Sequence, residues 1–394
     1  MSRIAYISTY VPKKCGLATF TFHLRQAVNA AKGRKANDPV VAVCRPDEVQ
    51  KGDPLIWPLL RDEEHEYIKM ANRINRSDVA AVSLQHEFGI FGGEAGRHIL
   101  QLVRRLEKPL VTTFHTVFEH PEPPYAAIQQ EIAERSAKLV VMNRMAADYL
   151  HRSFGVPFEK IAYIPHGTPE PDNENRQAFR RQIGWDNRKV MMTFGLLSRG
   201  KGIELILKAL PDIAAKVPNV LYAIVGQTHP EVKKWEGERY REELADLIRA
   251  NGMERHVMMV DNYLEESELV NYLTACDIYV TPYPGLQQIT SGTLAYAVGL
   301  GRPVLSTAYS YARDLLGVYP ELLIPYEDQK SWAARAAELL GNDVRLKEWG
   351  NKIERIGKSM HWPKVGKRYE QLIAEVSRVE AAIGQSAPSG QAYG

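Results

Sequence analysis

The chain has 394 residues, 45% of them apolar and 25% charged, with a formal net charge of +3 and basic residues interleaved with acidic ones. That length accommodates two domains with separate cores, and the charge balance argues against a nucleic-acid binder built on one basic face. Cys15, Cys44 and Cys276 lie far apart with no CxxC spacing, which argues against a disulfide scaffold and fits a reducing cytoplasm.

The opening MSRIAYISTYVPKKCG has an apolar run too short and too interrupted for a signal peptide. No segment approaches the roughly 18 apolar residues of a membrane span. Strands are predicted at RIAYIST, VVAVC, VAAVSLQ, PLVTTFH, KLVVMN and KIAYIPHG. Helical patterns alternate with them, as at LATFTFHLRQAVNAA and EAGRHILQLVRRLE. This alternation predicts a parallel, doubly wound α/β sheet. Periodicity stops at HGTPEPDNEN (166–175), the expected boundary. It restarts with strands at KVMMTFG, VLYAIVG, HVMMVDN, IYVTPYP, PVLSTAY and ELLIP, and with helices such as GIELILKALPDIAA and TLAYAVGL. The expectation is a first domain at 1–168, joined by a final helix at 363–385, and a second domain at 169–362. The residues 386–394 read as a frayed tail. Open parallel sheets bind ligands beyond the carboxyl ends of their strands, so two such domains facing each other would place a ligand in a cleft.

Two loops of the second half invite an anion. Gly195, Gly200 and Lys201 have the spacing of a Walker A loop, but residue 202 is Gly where Ser or Thr would hold magnesium. What survives is a glycine turn with Arg199 and Lys201 before a helix start, suited to phosphate. In YPGLQQITSGTLAYAVGLGRPV (283–304), Thr290 or Ser291 can cap a helix whose free amides near Ser291, Gly292 and Thr293 form a second anion site. For each loop taken alone, ordinary turn solvation or capping is an equal alternative.

In the first half, His86 and Glu87 follow a strand in SLQHEFGIFGGEAGRH, and Glu119 and His120 lie in HTVFEHPEPPY. These four read as acceptor-side residues, against the alternative of a core histidine and solvated acids. Their spacing is not HExxH, and no metal site is expected. The helix expected at 94–107 carries Arg97, Gln101, Arg104 and Lys108 on one stripe. It reads first as a solvated face and second as a peripheral membrane contact.

The Lys-Gly turn, the loop after it and the helix start before Gly301-Arg302-Pro303-Val304 resemble the C-terminal domain of GT-B glycosyltransferases, in particular the retaining family four. YVPKKCGLATFTFHL resembles that family's first glycine loop, TTFHT the strand end bearing its sugar-facing histidine, and NYLEESELVNYLTACDIYVTPY its base-binding loop. The final MHW and its helix resemble the segment returning to the first domain.

The resemblance implies a GT-B fold of two Rossmann-like domains facing each other across a cleft, and an enzyme. Arg199 and Lys201 would neutralise a donor diphosphate, His115 would orient the transferred sugar, and Gln288 would contact its hydroxyls. Gly16, Asn262, Tyr263, Thr290, Ser291, Gly292, Thr293 and Tyr296 would bind the rest of the donor. Gln288 and Tyr296 stand where the family carries two glutamates. The implied reaction is metal-independent, retaining transfer of a mannosyl or glucosyl group from a GDP- or UDP-sugar to a saccharide or glycolipid hydroxyl. No cofactor and no nucleic-acid partner are implied. A sugar-nucleotide epimerase of the same fold, or a saccharide-binding protein without transfer, are the alternatives.

Overall fold

The computed structural model describes residues 3–33, 37–50 and 52–386. The chain divides into two compact units. One runs to Gly167 and is taken up again from Trp362; the other is Thr168–His361. The expected tail lies, beyond Ser386, outside the described residues.

The first unit holds seven parallel strands: β1 (Arg3–Ser8), β2 (Val40–Cys44), β3 (Ile56–Leu60), β4 (Val79–His86), β5 (Leu110–Phe114), β6 (Lys138–Val141) and β7 (Ile161–Tyr163). Their order across the sheet is β3-β2-β1-β4-β5-β6-β7. Covered on both faces, strands such as VVAVC are apolar throughout and wholly buried. The unexpected strand is β3, IWPLL. Its Pro58 lacks an amide donor, and the strand tolerates this because it is an edge that pairs only with β2.

The last helix, Trp362–Ser386, packs on the helix Gly16–Ala31. A Cβ on Gly366 would sit 2.5 Å from the Ala27 backbone, so glycine sets how closely the two helices approach. The Tyr369 hydroxyl meets Thr113 Oγ1 at 3.0 Å. These contacts tie the end of the chain to the unit that begins it.

The helix expected at 94–107 does not form as such. A turn at Glu94–Gly96, with Ala95 at φ +49° and Gly96 at φ +79°, precedes a helix of only Ile99–Val103. A Cβ on Gly96 would lie 2.4 Å from the Phe88 carbonyl oxygen, so this segment folds back onto its neighbour. Nor is its stripe a free basic face. Arg104 is bidentate on Glu131 at 2.7 and 2.6 Å, and Gln101 donates to Glu64 at 2.8 Å. The stripe expected on 94–107 therefore lacks a continuous helix, and its Arg104 is paired with Glu131. Among the described residues, no helix is long and apolar enough to cross a membrane.

The second unit holds β8 (Lys189–Phe194), β9 (Val220–Val225), β10 (Val257–Val260), β11 (Ile278–Thr281) and β12 (Val304–Ser306), in the order β10-β9-β8-β11-β12. The segment ELLIP, expected as a strand, forms a short turn at Pro320–Leu322, and a single bridge joins Leu323 to Ser306. The Leu322 and Leu323 amides donate back to the Tyr319 and Pro320 carbonyls at 3.0 Å, which leaves Ile324 to reach the Ser306 carbonyl at 2.8 Å. Strand order reverses between β1 and β4 in one sheet and between β8 and β11 in the other. At such reversals the connections leave in opposite directions and open a crevice at the strand ends.

Candidate functional site

The reversal between β8 and β11 is where the second unit gathers polar groups. The chain leaves β8 through Gly195 at φ +130°, packed so tightly that a Cβ on Gly226 would lie 2.1 Å from the Gly195 carbonyl oxygen. It then turns through Arg199–Lys201 and enters the helix Ile203–Lys216 at Gly202. Gly202 is left-handed (φ +58°), and a Cβ there would lie 2.0 Å from the Pro282 carbonyl oxygen. That contact explains why glycine stands where a phosphate-binding ATPase would place Ser or Thr.

The tight turn brings Lys201 to β11. Its Nζ donates to the Tyr283 hydroxyl at 2.9 Å and lies 4.5 Å from that ring's centroid. The Tyr283 hydroxyl meets Thr293 Oγ1 at 3.0 Å, and Thr293 Oγ1 meets Ser291 Oγ at 3.1 Å. Ser291 caps the helix Gly292–Gly299, accepting from the Leu294 amide at 3.3 Å. A Cβ on Gly195 would lie 3.4 Å from both Lys201 Nζ and Thr293 Cγ2, so glycine keeps that corner open.

Charge separates the two expected anion loops. The helix from Gly292 has no acidic residue in its first turn. The helix from Ile203 has Glu204 there, held by the hydroxyls of Tyr240 (2.7 Å) and Tyr326 (3.1 Å). The positive end of the first helix is thus available to an anion, while that of the second is offset. Among the described residues no carboxylate pairs with Lys201.

Arg199 does not join this group. Its guanidinium is bidentate on Glu243 at 2.7 and 3.0 Å, lies 3.5 Å from Glu236, and sits 5.2 Å over the Tyr240 ring. The carboxylates near the helix Arg239–Ala250 draw it away from the partner role expected of it. Gln288 is exposed and turned onto its own loop, donating to the Thr290 carbonyl at 2.8 Å. Asn262 and Tyr263 follow β10, the first exposed and the second half-buried. Tyr296 is buried, and its hydroxyl donates to the Glu266 carboxylate. Tyr283 and Glu266 were not among the expected site residues. Both lie in the loop segments already singled out, yet nothing in a linear sequence pairs 283 with 201 or 266 with 296.

In the first unit, His115 follows β5. Its Nε2 meets Gln85 Oε1 at 3.1 Å and its ring meets Phe20 edge-on at 5.0 Å. Burial, with the neighbouring rings of His166 and His86, pushes its pKa down to about 3. His86 is wholly buried among Phe88, Phe91 and Phe114, with no hydrogen-bond partner at either ring nitrogen. It cannot line an acceptor surface as expected; the three phenyl rings enclose it, and burial pushes its pKa down to about 3.

Glu87 accepts from Thr116 Oγ1 at 2.6 Å and from the Phe88 amide at 3.0 Å, and burial raises its pKa. Glu119 and His120 are exposed on the following loop, which Ser153 ties down by donating to the Glu119 carbonyl at 2.8 Å. Gly16 opens its helix behind Cys15, whose Sγ accepts from the Ala18 amide at 3.4 Å, and the space beside Gly16 is open. Among the described residues no three His, Cys, Asp or Glu side chains gather as a metal-ligand set.

Residues 34–170 match the family model Glycosyltransferase Family 4, and residues 188–342 match Glycosyl transferases group 1. The chain carries both glycosyltransferase domains. Spore coat protein SA of Bacillus subtilis (strain 168) is 22% identical over 207 residues, covering 52% of this chain and 53% of that protein. The GDP-mannose:glycolipid 4-beta-D-mannosyltransferase of Xanthomonas campestris pv. campestris is 27% identical over 187 residues, covering 47% and 48%. The chain spans about half the length of these curated relatives. Among solved structures, Anabaena Alr3699/HepE in complex with UDP and glucose aligns with a TM-score of 0.73 at 14% identity, covering 95% of this chain and 100% of that one. The likeness is one of fold: two Rossmann-like parallel-sheet domains of GT-B type.

Proposed function

We propose that the protein transfers a hexosyl group, mannosyl or glucosyl, from a nucleoside diphosphate sugar to a hydroxyl of a saccharide or glycolipid. One observation carries the reading. Lys201 and the open N-terminus of the helix Gly292–Gly299 meet at a strand-order reversal, beside a corner kept free by Gly195. An ammonium and converging amides in a half-buried corner suit a diphosphate better than a neutral ligand. The relatives support the donor class, one being named for GDP-mannose and the aligned structure holding UDP and glucose.

In this reading, Lys201 and the amides of Gly292 and Thr293 stabilise negative charge on the departing phosphate, the part a metal ion plays elsewhere. The bond from the sugar's anomeric carbon to phosphate breaks as the bond to the acceptor oxygen forms on the same face. The acceptor proton passes to the departing phosphate oxygen. This retaining course requires no carboxylate nucleophile. His115, neutral, orients the sugar through a hydroxyl, and Glu87 with the loop bearing Glu119 and His120 recognises the acceptor. Asn262 and Tyr263 attend the base. The Tyr296–Glu266 pair offers the ribose a carboxylate in place of the glutamate that the sequence lacks.

A thermal-shift panel of GDP- and UDP-linked hexoses tests the donor class, since a ligand at 100 times its Kd adds about 2.7 kcal/mol of stability. The expected outcome is a clear rise for one base and sugar, followed by product in an acceptor screen. No rise with any nucleotide sugar would sink the proposal. Binding without transfer would favour a binding protein, and a new nucleotide sugar formed without acceptor would favour an epimerase.

A further inference from the structure

The hydroxyl chain beside Lys201 has a direction. An ammonium only donates, so the Tyr283 oxygen accepts from Lys201 at 2.9 Å and its own proton is free for Thr293 Oγ1 at 3.0 Å. Thr293 Oγ1 and Ser291 Oγ meet at 3.1 Å, and Ser291 Oγ accepts the Leu294 amide.

Tyr283 is the fixed point of this row. It is 1% exposed, and its ring stacks on Tyr309 with centroids 5.3 Å apart. Its hydroxyl cannot swing out, whereas a half-buried lysine on four rotatable bonds could. We propose that Tyr283 is a positioning residue that holds Lys201 beside the first turn of the Gly292–Gly299 helix, so that ammonium and amides act on one diphosphate. The proposal rests on the donor reading above and adds a part that reading does not need.

Two consequences follow. One Lys201 proton is committed to Tyr283, and two remain for the ligand. Ordering the lysine before binding also removes that entropic cost from the binding step.

The test uses the full chain with three variants, Tyr283→Phe, Lys201→Ala and the double variant, titrated calorimetrically with GDP and with UDP. Phenylalanine keeps the stack on Tyr309 and the ring under the ammonium and removes only the anchor. Tyr283→Phe is expected to weaken the preferred diphosphate about 10-fold, in line with losing a hydrogen bond to a charged group. The double variant is expected to bind no more weakly than Lys201→Ala, because Tyr283 acts through Lys201.

Wild-type affinity in Tyr283→Phe, or losses that multiply in the double variant, would overturn the inference while leaving the donor reading standing. Wild-type protein that binds neither diphosphate would overturn both.

Discussion

Histidines occupy the strand ends of the first unit, and tyrosines and a lysine those of the second. His86, His115 and His166 are all buried, and burial pushes their pKa values down to about 3, 3 and 4. Beside Lys201 stands Tyr283, stacked on Tyr309, and burial raises the Tyr309 phenol well above its usual value. Both units are parallel sheets with one reversal of strand order, yet their chemistry differs in kind. Neutral imidazoles can offer hydrogen bonds but no fixed charge, which suits an uncharged sugar. A lysine beside an open helix start offers positive charge without an acid to offset it, which suits an anion. One architecture thus carries two kinds of chemistry, buried neutral imidazoles after the strands of one sheet and a lysine with an open helix start at the β8–β11 reversal of the other.

The largest expected effect tests the histidine side. Each of the three has a folded pKa below the unfolded value near 6.5, so below that pH the unfolded chain takes up protons that the folded unit refuses. Stability from neutral burial is therefore whole above about pH 6.5 and is lost as pH falls toward 4 and then 3. The slope is about 1.4 kcal/mol per pH unit for each histidine, or about 4 kcal/mol for three together. Urea titrations at pH 7 and 5.5, read by peptide-resolved hydrogen-exchange protection, should show the first unit failing before the second. His86→Phe, placed among three phenyl rings, should flatten the slope by about a third. The comparison breaks if the second unit is the more acid-labile.

Next in size is the lysine side. Lys201→Ala should lower turnover at least about 100-fold with the fold intact, as expected when one preorganised charge partner is removed from a developing phosphate charge. Near-normal turnover in a steady-state assay would remove the asymmetry between the units and the proposed function with it.

The fold was readable because apolar strands and amphipathic helices alternate from end to end, and that signal is local. It failed where a local signal misleads. Pro58 masked an edge strand, a turn at Pro320–Leu322 took up the amides of the strand that ELLIP promised, and the positive φ values at Gly93, Ala95 and Gly96 broke a helix that periodicity drew unbroken. The site was half legible. The cap at Ser291 and the turn at Lys201 are sequence-local, and both can be read from the chain. Which cation would turn toward the cap depends on carboxylates some forty residues further along, at Glu236 and Glu243, and on a tyrosine that no spacing rule connects to residue 201. The histidines show the same limit. His86 and His115 both stand at strand ends, but alternation sends successive side chains to opposite faces, and only the packing of Phe88, Phe91 and Phe114 decides that one of them is sealed.

Arg199 gives the smallest expected effect and the sharpest reading of the Lys201 corner. Both cations lie in one three-residue turn and were equal candidates for the diphosphate. Lys201 has no carboxylate partner among the described residues, while Arg199 has two within 3.5 Å. The guanidinium is turned onto Glu243 and Glu236 and makes no contact with the Tyr283, Thr293 and Ser291 hydroxyls, and exposed pairs of this kind add little to stability. Arg199→Ala should therefore leave turnover within about threefold of wild type and shift the urea midpoint little, beside the loss expected for Lys201→Ala. A fall in turnover comparable to that of Lys201→Ala would mean that Arg199 leaves Glu243 when donor binds. The charge at the second unit's strand ends would then be shared by two residues.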